Sequence, residues 1–311
     1  IGVYSGRMSQ DATRRYVEAS DAILFLGTRM TDLNLGGFTA RFDPRAAIHA
    51  TRDQVTIGYE LYEKTLLGDF LAGLSETKLP RVAAPDAPYV PPLAALPELD
   101  PATPITVDRL FARIASILTE QMVVIADPGD ALFGAANLPI RRGVGFLAPA
   151  YYASLGFAVP ASVGAGLADP AARPIVLVGD GAFQMTGVEL STAVRFGVHP
   201  IVIVLNNDGY ATERFLLDGR FNDILRWRYA QLPELLGAGR GMMVETDGEL
   251  ARALSAALAD KTAFSLIEVC LARDDVSASL RQLTERLGQA ATATRPEGAT
   301  DDERTSRSGR A

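Results

Sequence analysis

Two rhythms of apolar and polar residues run along this chain. Apolar runs at Ala22–Leu26, Met122–Ala126, Ile175–Val178 and Ile201–Leu205 have the length and content of buried strands, and Ser265–Val269, broken by Glu268, reads as a strand too. Ala46–Thr51 and Met242–Glu245 read as two more. Between them, helical periodicity predicts helices over Gln10–Ala19, near Tyr59–Leu74, from a Thr106 cap to about Gln121, and over Ser154–Leu167, Phe183–Phe196 and Gly248–Asp260. A last amphipathic helix, Ser277–Gln289, places Leu280, Leu283 and Leu287 on one face. Strands alternating with helices predict an α/β fold of two parallel-sheet domains covered on both faces, the second doubly wound and complete. The first 79 residues show only about two clear strands, so that domain is expected to be partial. The chain also starts abruptly at Ile1, without Met, which suggests a fragment.

Eight of the eighteen prolines fall between Pro80 and Pro104, which predicts an extended linker over 80–104 separating domains at 1–79 and 105–290. Residues 291–311, rich in Arg, Asp, Thr, Ser and Gly, read as a disordered tail. Hydrophobic content of 48% and charge of 22% are those of a globular protein. A net charge of -7 argues against nucleic acid or an anionic membrane as partner. The lone Cys270 can form no internal disulfide, so a reducing, cytoplasmic setting is expected. No membrane span or signal peptide is visible in the sequence.

Chemistry concentrates at two turns. Gly179-Asp180-Gly181 lies between the strand at Ile175–Val178 and the following helix, and Asn206-Asn207 ends the next strand. Either motif alone is ordinarily just a turn. Together, at successive strand ends, they provide one carboxylate and one amide oxygen, a donor set for a hard cation. Glycines allow a diphosphate to approach the main chain, and a helix N-terminus offers N–H groups to it. Asp180, Asn207 and the carbonyl of Gly209 are the candidate ligands, and Mg2+ suits them better than zinc. A Rossmann dinucleotide site is not indicated, because no Gly-x-Gly-x-x-Gly follows a strand.

The segment from Gly179 to Asn207 resembles the cofactor motif of thiamine diphosphate-dependent enzymes, in which the residues matching Asp180, Asn207 and Gly209 hold Mg2+ and the diphosphate. The resemblance covers roughly residues 104–290, the diphosphate-binding domain of that family, while residues 1–79 look like part of its central domain. Ala148–Phe157 is similar to the loop that grips the aminopyrimidine. By that likeness the carbonyl of Ala153 and the amide of Leu155 bond the ring, and the Leu155 side chain bends the cofactor. The implied cofactor-binding set is Gly129, Ala153, Ser154, Leu155, Gly179, Gly181, Ala182, Phe183 and Tyr210. Asp127-Pro128-Gly129-Asp130 resembles a diphosphate-contacting turn, but family members often carry a hydroxyl residue at Asp130. A carboxylate beside a diphosphate is unfavourable unless it turns away or is compensated, so Asp130 is left out of the set.

Asn206–Glu213 and Arg220–Ile224 are similar to stretches of the pyruvate and indolepyruvate decarboxylases. The likeness makes Glu213 the catalytic acid, and enclosure in an apolar pocket would raise its pKa toward neutrality. Substrate-pocket positions are Leu132, Phe133 and Thr212, beside Pro128, with the last helix as a lid. Thr212 is smaller than the isoleucine of pyruvate-specific members, which favours an aromatic 2-oxo acid such as indolepyruvate or phenylpyruvate. The implied reaction is non-oxidative decarboxylation to an aldehyde, in a homodimer or homotetramer whose active site spans subunits. The family's first domain, with its activating glutamate and a histidine pair, has no counterpart here. His49 and His199 read as structural. A carboligase of the acetohydroxyacid synthase type and an inactive cofactor-binding fragment are the competing readings.

Overall fold

A computed structural model of the chain describes residues 2–32, 34–78, 98–140 and 143–282. The first region comprises α1 (Asp11–Glu18), β1 (Ile23–Leu26), β2 (Ala47–Ala50), β3 (Gln54–Ile57), β4 (Glu60–Glu63) and α2 (Leu67–Glu76). Its sheet runs β1-β2-β3-β4, with β1 and β2 parallel and the other two pairings antiparallel. This corrects two expectations. The sheet is mixed, and part of the stretch near Tyr59–Leu74 is strand rather than helix. Gly58, at φ 60°, makes the two-residue turn that folds β3 back onto β4, with Ile57 opposite Glu60.

The second region carries the larger core. Its elements are α3 (Val107–Ile117), β5 (Met122–Ala126), α4 (Asp130–Ala135), β6 (Gly145–Leu147), α5 (Ala158–Ala168), β7 (Arg173–Gly179), α6 (Asp180–Thr186), α7 (Leu190–Phe196), β8 (Ile201–Asn206), α8 (Ala211–Leu216), α9 (Leu232–Leu236), β9 (Arg240–Val244), α10 (Asp247–Ala259) and β10 (Ser265–Cys270). The strands form one sheet in the order β6-β5-β7-β8-β10-β9, parallel throughout. In β7 and β8 every second side chain faces the opposite way. Ile175, Leu177, Ile201 and Ile203 pack under α3, α4 and α10, whereas Val176, Val178, Val202 and Val204 pack under α5, α6 and α7. Burial on both faces explains why these strands read as unbroken apolar runs.

Local chemistry sets the helix ends. Thr106 caps α3 by accepting from the Arg109 amide at 3.2 Å, as predicted. Thr246 and Glu249 form a capping box at α10. The helix predicted over Phe183–Phe196 instead starts at Asp180 and breaks at a 3-10 turn over Gly187–Glu189. The Phe183 ring occupies the space beside Gly187, where a Cβ would lie 2.4 Å from it. Similarly, α5 starts at Ala158, not Ser154, because Ala153 and Gly156 have φ of 51° and 82°. Short α4, β6 and α8 escaped sequence reading, having too few residues to show a period.

Thr103 and Pro104, at the end of the predicted linker, lie against the second region. Asp247 donates its amide to the Thr103 carbonyl at 2.9 Å, and Pro104 bridges Thr246. The chain is helical again from 278 to 282. Leu280 is fully buried against Val276, Ala211 and Phe133, and the predicted positions Leu283 and Leu287 lie outside the described residues, as do the tail and most of the linker. No described helix is long and apolar enough to cross a membrane. His49, in β2, has its Nε2 2.7 Å from the Thr28 carbonyl, a structural contact.

Candidate functional site

The chain runs from β5 to one side of the sheet, into β6, and from there crosses to β7 on the other. That reversal opens a crevice at the carboxyl ends of β5 and β7, where parallel α/β sheets place their ligands. A cavity of about 770 Å³ occupies it.

The loops around the cavity are held by buried carboxylates. Asp127, fully buried at the end of β5, accepts from the amides of Gly156 at 2.9 Å and Ala158 at 2.7 Å. It thereby folds the 151–157 loop over the cavity and starts α5. Burial raises its pKa, and these amides oppose the rise. Sequence reading missed this anchor; its only signal was an acid at a strand end.

Asp180 opens α6 and is 1% exposed. Its Oδ1 accepts from Gly181 N at 2.7 Å and its Oδ2 from Gly209 N at 2.9 Å, so the two turns are joined through one carboxylate. Burial pushes its pKa up to about 6, against the lowering effect of the amides. Gly209 has φ of 131°, and a Cβ there would sit 2.2 Å from the Asn222 carbonyl. Only glycine permits this turn. Asn222 itself, 2% exposed, accepts from Tyr210 N at 3.0 Å and donates to Leu217 O at 2.8 Å, which gives the Asn-Asp-Ile segment a structural role.

Asp180, Asn207 and Gly209 all border the cavity. Among the described residues no group of three or more His, Cys, Asp or Glu is placed to hold a metal ion. One carboxylate, one amide oxygen and one carbonyl instead suit a hard cation that draws its remaining ligands from phosphate and water.

Most other predicted site residues line the same cavity: Gly129, Ala153, Leu155, Gly179, Gly181, Ala182 and Tyr210, with Leu132, Phe133 and Thr212. Two do not. Ser154 is exposed, and the Phe183 side chain is 1% exposed in the core, edge-on to Tyr229, leaving only its main chain toward a ligand. Gly181 is dictated sterically, because a Cβ would lie 2.5 Å from the Tyr210 ring. Glu213 is on α8 at the cavity, but it is exposed. The apolar enclosure expected around it is not built by the described residues, since α8 lies at the surface. Asp130, left out of the predicted set, also borders the cavity, with its Oδ2 accepting from Ser277 N at 2.8 Å. Residues of the first region also reach the cavity, among them Met8 and Asn34, and Arg29 bonds the Tyr151 hydroxyl at 2.7 Å while lying over its ring.

Sheet and crevice define a parallel α/β domain with a candidate ligand site at the switch point. Residues 127–269 match the model of the thiamine pyrophosphate enzyme C-terminal TPP binding domain. The chain is 33% identical to an alpha-keto-acid decarboxylase of Mycolicibacterium paratuberculosis over 91% of its own length and 51% of that protein. It is 35% identical to an indole-3-pyruvate decarboxylase of Azospirillum brasilense, over 92% and 52% respectively. An alpha-keto-acid decarboxylase of Mycobacterium tuberculosis is 34% identical, over 91% and 51%. The chain thus spans about half the length of the curated relatives it matches.

Proposed function

We propose that this chain serves the non-oxidative decarboxylation of a 2-oxo acid to an aldehyde with thiamine diphosphate and Mg2+. The substrate carries an aromatic side chain of the indolepyruvate or phenylpyruvate kind. The observation that carries the reading is the meeting of Asp180, Asn207 and Gly209 at one cavity. The names of the relatives, alpha-keto-acid and indole-3-pyruvate decarboxylase, support the reaction class.

In this reading the Asp180 carboxylate, the Asn207 amide oxygen and the Gly209 carbonyl hold the cation. Of the first-turn amides of α6, which have no intrahelical acceptor, Gly181 N bonds Asp180 and Ala182 N is offered to the diphosphate. Gly129, Gly179 and Gly181 keep side chains out of its way, and the main chain of Phe183 and the Tyr210 ring complete that wall. Ala153, held at φ 51°, offers its carbonyl to the aminopyrimidine, and Leu155 its amide, while the Leu155 side chain supports the bent conformation. Ser154 contributes main chain only. When bound, thiamine diphosphate supplies the electron sink for the carbon that loses CO2. Leu132, Phe133 and Thr212 take the substrate side chain, and Glu213 delivers a proton to the carbon that loses CO2. A second subunit in a homodimer or homotetramer encloses Glu213; the exposed apolar side chains of Leu217, Phe221 and Leu225 nearby support such a contact. The division into a partial central domain at 1–79, a linker and a diphosphate-binding domain at 105–290 belongs to the same proposal.

Thiamine diphosphate titration with and without Mg2+ tests the site. Wild-type binding should require the cation, and Asp180→Asn should weaken it by about a hundredfold. Cation-independent binding, or equal affinity in Asp180→Asn, would overturn the site assignment. Failure of cofactor-loaded oligomer to form an aldehyde from phenylpyruvate, indolepyruvate or pyruvate would overturn the reaction.

A further inference from the structure

Glu268 occupies the middle of β10, one of the most deeply buried strands, and is 2% exposed. Its neighbours Leu266, Ile267 and Val269 are fully buried. A carboxyl group in such surroundings is costly unless both of its oxygens are satisfied. Both are. Oε1 accepts from Asn206 Nδ2 at 2.7 Å, and Oε2 accepts from the Ala230 amide at 3.0 Å.

The two donors come from different elements. Asn206, 3% exposed, is the last residue of β8 and immediately precedes the candidate ligand Asn207. Ala230 sits in a 3-10 turn over Tyr229–Gln231. Tyr229 packs edge-on against Phe183 of α6, and its hydroxyl accepts from Gln184 of the same helix at 2.9 Å. Glu268 is therefore the point at which the end of β8 and the turn braced against α6 are tied together. These are the elements whose separation sets how Asn207 and Gly209 stand relative to Asp180. Glu268 itself hydrogen-bonds Asn206 and Ala230, not those three.

We propose that Glu268 is a positioning residue that fixes the 206–209 turn through Asn206 and thereby sets the cation affinity of Asp180, Asn207 and Gly209. The affinity half of this proposal rests on the cofactor reading above; the hold on the turn does not. A carboxylate accepts from both donors at once, which leucine cannot do. Glutamine can bond both only if the Asn206 amide turns over, so that its Oδ1, which has no partner in the native arrangement, accepts from the glutamine Nε2.

Two measurements on the full chain decide the matter. The first is hydrogen exchange at the Gly209 amide, which bonds Asp180, without cofactor. Glu268→Leu should speed that exchange by about tenfold while amides of Ile175–Val178 in β7 keep their protection, with Glu268→Gln intermediate. The second is the Mg2+ concentration that half-saturates thiamine diphosphate binding, which should rise by about tenfold in Glu268→Leu and less in Glu268→Gln. Exchange and Mg2+ requirement within about twofold of wild type would overturn the proposal, as would an equal rise of exchange throughout β7. If Glu268→Leu does not fold, Asn206→Ala, which cuts the same link from its other end, is judged by the same criteria. If wild type and Asp180→Asn bind the cofactor alike, the cofactor reading fails while the exchange arm still decides what Glu268 does to the turn.

Discussion

Asp130 allows a sharp test of the packing at the cavity edge, and it needs no cofactor. The residue is 8% exposed at the start of α4; Oδ2 accepts from Ser277 N at 2.8 Å, and Oδ1 has no partner. Burial pushes its pKa from 3.8 up to about 6, helped by Asp275 and Asp108 nearby and opposed by the bond from Ser277. Between those two values the folded chain holds a proton that the unfolded chain has released. Stability therefore falls as pH rises through this window and levels off above it. The penalty relative to a non-titrating group is about 3 kcal/mol at pH 7.5 and about 1.5 kcal/mol at pH 5.

Asp130→Asn keeps an acceptor for Ser277 and removes the charge. Urea unfolding, followed by circular dichroism and by fluorescence of the single tryptophan Trp227, should be measured for both proteins from pH 4.5 to 7.5. Asp127, Asp180 and Asp275 are also raised by burial and add to the absolute slope, so the difference between the two proteins is the informative quantity. The gain of the variant over wild type should grow with pH, by about 1–2 kcal/mol across this range. A constant offset only measures the amide's own packing. A difference that stays flat, or that shrinks as pH rises, would refute the buried-carboxylate reasoning.

Two further substitutions probe the frame and the pocket. Asp247 is fully buried and accepts from Arg113 at 2.8 and 2.6 Å and from Arg109 at 2.8 Å, joining α10 to α3. Asp247→Ala removes the buried carboxylate that both arginines bond and should cost about 3–5 kcal/mol in urea unfolding; a loss below about 1 kcal/mol would mean these bonds are dispensable. Thr212→Ile enlarges a side chain at the cavity wall, so the ratio of kcat/KM for phenylpyruvate to that for pyruvate should fall by about tenfold. An unchanged ratio would place the substrate side chain elsewhere.

Residues close in sequence carried most of what was legible without coordinates. The long parallel strands were readable because double burial demands continuous apolar runs, as in Ile201–Leu205. The α3 cap was readable because Thr106 acts on an amide three residues away. Gly-Asp-Gly and Asn-Asn stood out because turns at successive strand ends that hold glycine, carboxylate and amide tolerate few residue types. The β3–β4 hairpin was misread because Leu61 and Tyr62 also fit a helical period, and only the Gly58 turn and pairing with β3 resolve the ambiguity. Short α4 and α8 lack the length to display any period.

What the sequence alone determined is the α/β class, the strand ends and the candidate residue types for a site at those ends. Tertiary structure decided how they meet. It brought Asp180 onto the Gly209 amide, placed Asp127 under the 153–158 loop, and joined Glu268 to Asn206 from neighbouring strands. It also left Glu213 exposed where an enclosed acid was expected. Each of these depends on groups far apart in the chain. Local propensity cannot report them, because their energy comes from burial and hydrogen bonds that exist only after the sheet has assembled.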